Sequence, residues 1–559
     1  MRSSTPREVP AHSGPAGVRD GVPSVSRTAY DAIVIGAGHN GLCLAAYLQR
    51  AGLSTLVVER RHEEGGGVNT EEPVLPGFRH NMHAQYMEFF DIMPMMADFG
   101  LEDLGLRTVT PDAQAGIVFA DDRPPIVLHR LELIERTRES IARYSKADAD
   151  LFVELRKRAA LLEPVLAAGL YSPPADGSFE EQGQAIEGAF GDLGVSANFG
   201  LKSPRVVIDE LFETPELRAL LYRIAVEWGA PIDEAGLGTM FLGFVMWTVA
   251  NWKLCKGGTH SLAKAMTQAC YREGVDLLES AAVERVVVEG SRAVGVVVRG
   301  DTEIRAARVV ASNADLRQTM LDLVGRDHLS DLWVRRSEAF RYGPSHVLGT
   351  LAFCMREAPA YRSARWDYDI DRCFYTVVGF DGPDDVLRYI RDAYSGRIPE
   401  PAAGTWVNTL WDRSQAPPGS HAAGGWYFFP PASALSGAEW AEVRASYNDR
   451  FLQKWQRYAP NMTKDNVIAS RLYTPDQMEV KNLMREGDFS NGEFALDQMG
   501  ANRPFPEASS YRTEIEGLYL CGPSAAPGGG VHAACGYNAF KAIASDLGLT
   551  GPLVAARGY

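Results

Sequence analysis

The chain has 559 residues, of which 46% are apolar and 23% charged, the balance of a globular protein with enough chain for a large core. Collagen-like, disordered and disulfide-scaffold classes are excluded. The net charge is 56 − 71 = −15, and so acidic a surface argues against nucleic acid or an anionic membrane as the main partner.

Residues 1–28 are rich in Ser, Pro, Gly and Arg and contain no apolar run. They read as a disordered leader, not a secretory signal. The seven cysteines are scattered, with no CxxC and a closest pair (Cys521, Cys535) 14 positions apart. That pattern suits a reducing, cytoplasmic location and excludes a redox dithiol or a zinc knuckle.

The strongest signal starts at Tyr30. Asp31–Ile35 is a short β-branched run of the kind found in buried parallel strands. It leads directly into Gly36-Ala-Gly38-His-Asn-Gly41, then a helical stretch from Leu42 to Ala51. A second strand, Ser54–Val58, ends in Glu59. Strand, glycine turn, helix and strand within ~30 residues form a dinucleotide-binding unit. Gly36 would make the tight turn, Gly38 would admit a pyrophosphate, and Gly41 would let helix and strand pack closely. Glu59, 18 residues beyond Gly41, sits where a carboxylate accepts the ribose hydroxyls of an adenosine and repels a 2′-phosphate. A second glycine cluster, Gly65-Gly66-Gly67, follows Arg60 closely. It leans towards the longer cofactor, FAD, over NAD; the alternative is a surface turn.

Further along, His80, Asn81, His83 and Tyr86 make a polar-aromatic cluster. Its i,i+3 histidines lack further ligands at a metal spacing, so no metal is expected. Leucines and isoleucines recur at helical intervals from Leu131 to Ala168. The Gly-, Ser- and Pro-containing stretch from Gly169 to Pro204 reads as a mobile loop. Ala235–Trp252 carries no charge over 18 residues, but its glycines, threonines and asparagine favour a buried helix or pocket wall over a membrane span. Within it, Phe244 and Trp247 are candidates to line an apolar substrate tunnel. Asp121-Asp122 and Asp209-Glu210 read as solvated faces. Val286–Glu289 and Val294–Val298 read as a hairpin, and His260 as a residue that caps or packs beside this segment. Near the end, Gly517–Cys521 is a strand leading to Gly522. Pro527-Gly-Gly-Gly-Val531 is expected to open a helix whose first-turn N–H groups face an anion. No second strand–GxGxxG–helix unit is visible.

Together these blocks resemble the phytoene desaturase-like flavoproteins of the wider amine oxidase-type superfamily. The matching text is GAGHNGL at 36–42, ER at 59–60, GGGVNT at 65–70, TEEPVLPGF at 70–78, KGGTHSLAKAM at 256–266, VVASNAD at 309–315, LDQ at 496–498, RP at 503–504 and GLYLCGPSAAPGGGVHAACGYNA at 517–539. The resemblance spans nearly the whole chain after Tyr30 and is closest to the branch with GAGHNG and PGGGV signatures. It implies a Rossmann-type α/β FAD-binding domain built from discontinuous segments and interleaved with an α+β substrate domain. The FAD parts would be 29–106, 257–315 and 481–559, and the substrate parts 107–256, largely helical, and 316–480. By position, Gly36, Gly38, Gly41, Glu59, Arg60, Gly65, Gly66 and Thr70 would bind FAD, as would Val283 near the adenine. Gly522, Gly529, Gly530 and Val531 would serve the flavin end. Gly522-Pro523 departs from the family's usual acidic residue after the glycine, which leaves the ribityl contact open.

Flavin carries the redox step, so no catalytic triad is expected. His532 is the candidate for a proton role or a substrate contact, with His83 and Tyr86 as pocket-wall candidates. The expected activity is oxidation or desaturation of a largely apolar small molecule by hydride transfer to flavin, reoxidised by oxygen, a quinone or a carrier. Alternatives on the same scaffold are an amine oxidase, a redox-neutral flavin-dependent isomerase and a non-catalytic FAD protein. Peripheral contact with a membrane and the oligomeric state stay open.

Overall fold

A computed structural model describes residues 27–174, 178–193, 198–249 and 251–549; nearly all of the expected leader lies outside them. Two seven-stranded sheets organise the chain. The first runs Val283–Glu289, Arg292–Val298, Thr302–Ser312, Ala29–Ile35, Thr55–Val58 and Asp276–Leu278, with Leu518–Leu520 added parallel to Thr302–Ser312. Its strands come from three separated stretches of sequence. Ala32, Ile33 and Val34 are fully buried, which is why this strand reads as a continuous apolar run.

The register of the parallel strands fixes where a ligand can bind. Ile35 pairs with Val58 and Ser312, Val58 with Leu278, and Ser312 with Leu520. All five carboxyl ends therefore stop at one edge, and the chain leaves that edge as Gly36, Glu59, Asn313 and Cys521. In open α/β sheets, the crevice outside the carboxyl ends is the ligand site. The helix His39–Arg50 starts there, and it is buried on every side from Asn40 to Leu48. The terminal helix Ala534–Leu547 packs on it so tightly that a Cβ at Gly536 would lie 2.0 Å from the Asn40 carbonyl oxygen.

The second sheet runs Val467–Tyr473, Leu348–Met355, His421–Phe428, Ala403–Trp406, Tyr375–Val378, Ala113–Ile117 and Ile126–His129. It is antiparallel except where Tyr375–Val378 meets Ala113–Ile117. Residues 107–256 thus add two strands to this sheet besides their helices. Their longest helices are Lys146–Leu161, Ser178–Phe190 and Pro215–Glu227.

Two expectations need correction. The stretch 169–204 contains the helix Ser178–Phe190, whose Ile186 and Phe190 are buried; those apolar anchors outweigh the glycines and prolines around them. The glycine block at 528–530 does not open a helix. Gly528 and Gly530 take φ of +119° and +134°, which no helix accommodates, and the helix starts later, at Ala534. The hairpin is present as Val283–Glu289 paired with Arg292–Val298. Within the uncharged stretch Ala235–Trp252, Gly238–Thr248 is one continuous, largely buried helical run with a π-helical middle, as expected, and among the described residues no helix is long and apolar enough to cross a membrane.

Candidate active site

The carboxyl edge of the first sheet opens into a cavity of ≈ 300 Å³ that reaches the second sheet. At one end lie Val283, Glu59 and Arg60. The middle is glycine-rich, with Gly36, Gly38 and Gly66, and the far end is closed by Gly529, Gly530 and Val531. His83 and Tyr86 line the same space. The structure thus brings together candidates that are up to ~500 positions apart in sequence (36 to 531).

Glu59 is 8% exposed. It accepts the Ala37 N–H at Oε2 (2.8 Å) and the Arg61 N–H at Oε1 (2.9 Å). An ionised carboxylate has about four acceptor sites, so two remain for hydroxyl donors. The Ala37 carbonyl takes the Gly65 N–H (2.8 Å), and a Cβ at Gly66 would come within 3.3 Å of the Gly38 Cα. The two glycine clusters are therefore held against each other. Asn482 braces Gly66 by donating to its carbonyl oxygen (3.2 Å), while its own Oδ1 has no partner. The helix start at Gly38 has no side-chain cap and no acidic residue in its first turn, leaving its N–H groups and dipole open to an anion. Such a cradle of uncapped N–H groups, close-packed glycines and a half-satisfied carboxylate fits a dinucleotide cofactor.

Asn313, just past the third parallel strand, governs the turn. Its side chain lies where Cβ atoms at Gly38 and Gly41 would fall, at 2.7 and 3.1 Å from Nδ2. It also donates to the Gly36 carbonyl oxygen at 3.4 Å. Gly41, Gly65, Thr70 and Gly522 do not face the cavity. Thr70 instead donates to Asn81 Oδ1 (2.8 Å) and accepts the His260 N–H (3.1 Å). It thereby ties the first segment to the helix His260–Glu273. Gly522 packs on Asn313, where a Cβ would meet its carbonyl oxygen at 2.8 Å.

His532 is buried and holds the glycine loop. Its Nδ1 accepts the Ala534 N–H (3.0 Å), so the ring caps the terminal helix. Its carbonyl oxygen accepts from Tyr171 Oη (2.8 Å). Burial and the nearby His39 push the ring down to about 3. A ring that stays neutral and already uses Nδ1 is poorly placed to shuttle protons near neutral pH; its geometry is that of a brace. His39 ties in from the other side, its Nε2 3.0 Å from the Gly530 carbonyl oxygen.

Beyond the glycine loop the walls turn aromatic. Tyr86 packs on Trp252 (4.6 Å between ring centroids) and Trp406 (5.7 Å), and Trp426 packs on Trp406 (5.0 Å) and Phe489 (5.9 Å). His83 stands edge-on to Phe489 at 5.1 Å, and burial pushes its ring down to about 3. A second chamber of ≈ 210 Å³ adjoins the first through Trp228, Phe494 and Gly529. Phe244 lines it together with Leu170, Ile186 and Met240, and His532 sits on its wall. Trp247 lines neither space; it is buried, and its carbonyl oxygen accepts from the buried Arg156 (2.8 Å).

Sequence reasoning passes over several cavity residues: Glu88, Glu227, Trp228, His346 and Trp426. Burial pushes the Glu88 carboxyl up to about 8. Glu227 pairs with Arg223 (2.5 Å) and accepts from Tyr375 Oη (2.6 Å). No motif signals these residues, because they converge from separate elements. Among the described residues, no three His, Cys, Asp or Glu side chains cluster to hold a metal. All seven cysteines are buried and unpaired with one another.

A family model described as an NAD(P)-binding Rossmann-like domain matches residues 34–99. The chain is 33% identical over 539 residues to a component of the limonene dehydrogenase of Castellaniella defragrans, covering 93% of this chain and 95% of that protein. It is 26% identical over 517 residues to the lycopene-forming phytoene desaturase of a Paracoccus species, covering 90% and 95%. Among solved structures, an oxidoreductase from Methanosarcina mazei shares the fold at a TM-score of 0.58 and 14% identity, covering 92% of this chain and 99% of that one.

Proposed function

Because the chain belongs to the phytoene desaturase-like family of FAD-dependent oxidoreductases, we propose that its cavity holds FAD along the carboxyl edge of the first sheet and a largely apolar substrate against the aromatic walls beyond. The single observation that carries this reading is the continuity of the cavity from Glu59 and the glycine loops to Tyr86 and Trp426. FAD, when bound, supplies the hydride acceptor.

The chain's own residues do the rest. Glu59 would take the ribose hydroxyls, and Val283 and Arg60 would flank the adenine end. Gly36, Gly38, Gly66 and the uncapped helix start would receive the pyrophosphate. Gly529, Gly530 and Val531, held by His532 and His39, would shape the far end. Gly41, Gly65, Thr70 and Gly522 would act by keeping these loops in place. Tyr86, Trp228, Trp426 and Phe489 exclude water, and the second chamber at Phe244 extends the apolar space. The relative named for limonene, a hydrocarbon, supports an apolar substrate class.

A second reading, oxidation of an amine carbon, is favoured by the same aromatic walls. The test is a visible spectrum of the purified protein followed by anaerobic addition of candidate substrates. Bound FAD that bleaches with an apolar substrate is expected. A protein that binds NAD and no flavin refutes the assignment. Peroxide release on readmitting air separates oxygen from a quinone or a carrier as the electron acceptor.

A further inference from the structure

The cavity carries polar atoms that a hydrocarbon would leave stranded. Glu227 is 2% exposed and Trp426 6%, yet Glu227 Oε2 and the Trp426 indole N–H have no partner in the structure. The same holds for the Trp228 indole N–H and for His346 Nε2, and all four residues line the cavity. A buried polar group left unpaired costs about 1–3 kcal/mol, so a cluster of them marks a missing partner.

Trp228 and His346 lie close to the Gly529 loop, the proposed flavin end, so the substrate's partners are sought in Glu227 and Trp426. Glu227 ends the helix Pro215–Glu227, Trp426 belongs to the strand His421–Phe428, and His346 lies two residues before the strand Leu348–Met355. These elements form or cover the second sheet, whereas the glycine loops and Glu59 line the carboxyl edge of the first. Arg223 holds the patch together. It pairs with Glu227 at 2.5 Å and donates to the Trp426 carbonyl oxygen at 3.3 Å. Glu227 Oε1 is occupied by Arg223 and by Tyr375 Oη, which leaves Oε2 for a ligand.

The donor and acceptor types select among functional groups. An indole N–H only donates, and an ionised carboxylate only accepts. Burial raises the Glu227 pKa and the Arg223 charge opposes it; with Glu227 held ionised by Arg223, a ketone would satisfy the indoles and leave Glu227 stranded. An ammonium would satisfy Glu227 and leave the indoles stranded. A hydroxyl does both at once, donating to Oε2 and accepting from an indole N–H. Resting on the reading of this cavity as the substrate site, we propose that the substrate is an apolar alcohol whose hydroxyl is anchored by Glu227 and Trp426 while its hydrocarbon part extends towards the chamber at Phe244. The patch is a specificity device within the site: it turns a pocket for hydrocarbons into one for hydroxylated hydrocarbons.

The experiment titrates anaerobic, FAD-loaded protein with four probes on one ten-carbon skeleton with a six-membered ring: menthol, menthone, menthylamine and p-menthane. The perturbed flavin absorbance reads each dissociation constant. Menthol is expected to bind at least about tenfold more tightly than p-menthane, as a hydrogen-bonding site requires, and more tightly than the ketone or the amine. Trp426→Phe keeps a ring and removes the N–H; with Glu227→Gln, it should shrink the preference to about twofold while FAD content stays unchanged. The proposal is overturned if p-menthane matches menthol, if the ketone or amine binds best, or if no probe perturbs FAD-loaded protein. It also falls if the preference survives both substitutions. A protein that purifies without FAD refutes the flavin assignment instead, at an earlier step.

Discussion

Gly41→Ala sets two physical effects against each other. Gly41 lies in the first turn of the helix His39–Arg50, and replacing a helical glycine by alanine ordinarily stabilises by ~1 kcal/mol. Here the new Cβ would lie 2.2 Å from the Gly36 carbonyl oxygen, whereas ordinary contact begins at 3.4 Å, so the turn must open by 3.4 − 2.2 = 1.2 Å. The obstacle is backbone, with Asn313 pressing from the other side at 3.1 Å. Overpacking of this kind costs ~1–3 kcal/mol, and the turn it distorts is the one proposed to receive the pyrophosphate. Net of the propensity gain, up to ~2 kcal/mol is lost, which weakens FAD binding by up to about 30-fold. The assay is titration of deflavinated protein with FAD by quenching of flavin fluorescence, alongside thermal melting of the apoprotein. Gly38→Ala is the internal control. Its backbone is extended, and its Cβ would meet only the movable end of Asn313 at 2.7 Å. It should lose FAD affinity while the apoprotein melts as the parent does. If Gly41→Ala melts at or above the parent and binds FAD within about threefold of it, helix propensity has won and the packing argument is wrong.

Three further expectations follow from buried groups. Glu88, with its carboxyl pushed from 4.5 to about 8 by burial, holds its proton more tightly folded than unfolded. The stability this contributes is complete below about pH 4.5 and is lost as pH rises towards 8. Glu88→Gln, neutral throughout, should match the parent at the acid end and exceed it by up to ~4 kcal/mol at pH 8; melting curves that stay parallel across this range would sink the assignment. His532→Ala should cost ~1 kcal/mol through the lost helix cap, and His532→Asn, which keeps an acceptor for the Ala534 N–H, should cost less; equal denaturant midpoints would remove the brace. Arg223→Met strands the fully buried Glu227 and should cost ~3–5 kcal/mol, much of it recovered when Glu227→Gln is added. A single-variant loss under ~1 kcal/mol shows that water or another group already compensates the carboxylate.

What the sequence discloses here depends on how far apart the cooperating atoms lie. The unit from Tyr30 to Glu59 is legible because its constraints are local: a strand, a turn with φ of +93° at Gly36 and a helix start act on neighbours within ~30 residues. The discontinuous α/β architecture follows from the order of such blocks. PGGGV reads wrongly as a helix start for a local reason of a different kind. Glycine permits helical and left-handed backbone alike, and the cap at Ala534 comes from a histidine ring, which is not among the usual N-cap residues. Thr70 and Gly522 belong to matching blocks, yet they stabilise the loops around the cavity instead of lining it, a distinction that spacing cannot carry. The polar patch is least legible. Glu227, His346 and Trp426 stand 119 and 80 positions apart along the chain, and each alone is an ordinary acidic, basic or aromatic residue. Only the second sheet, folding around Arg223, makes their unpaired atoms converge. The cofactor is therefore written in the near neighbours of the first sheet, while substrate preference is written in long-range packing. A family whose nucleotide motifs are shared can for that reason diverge in substrate without changing any motif.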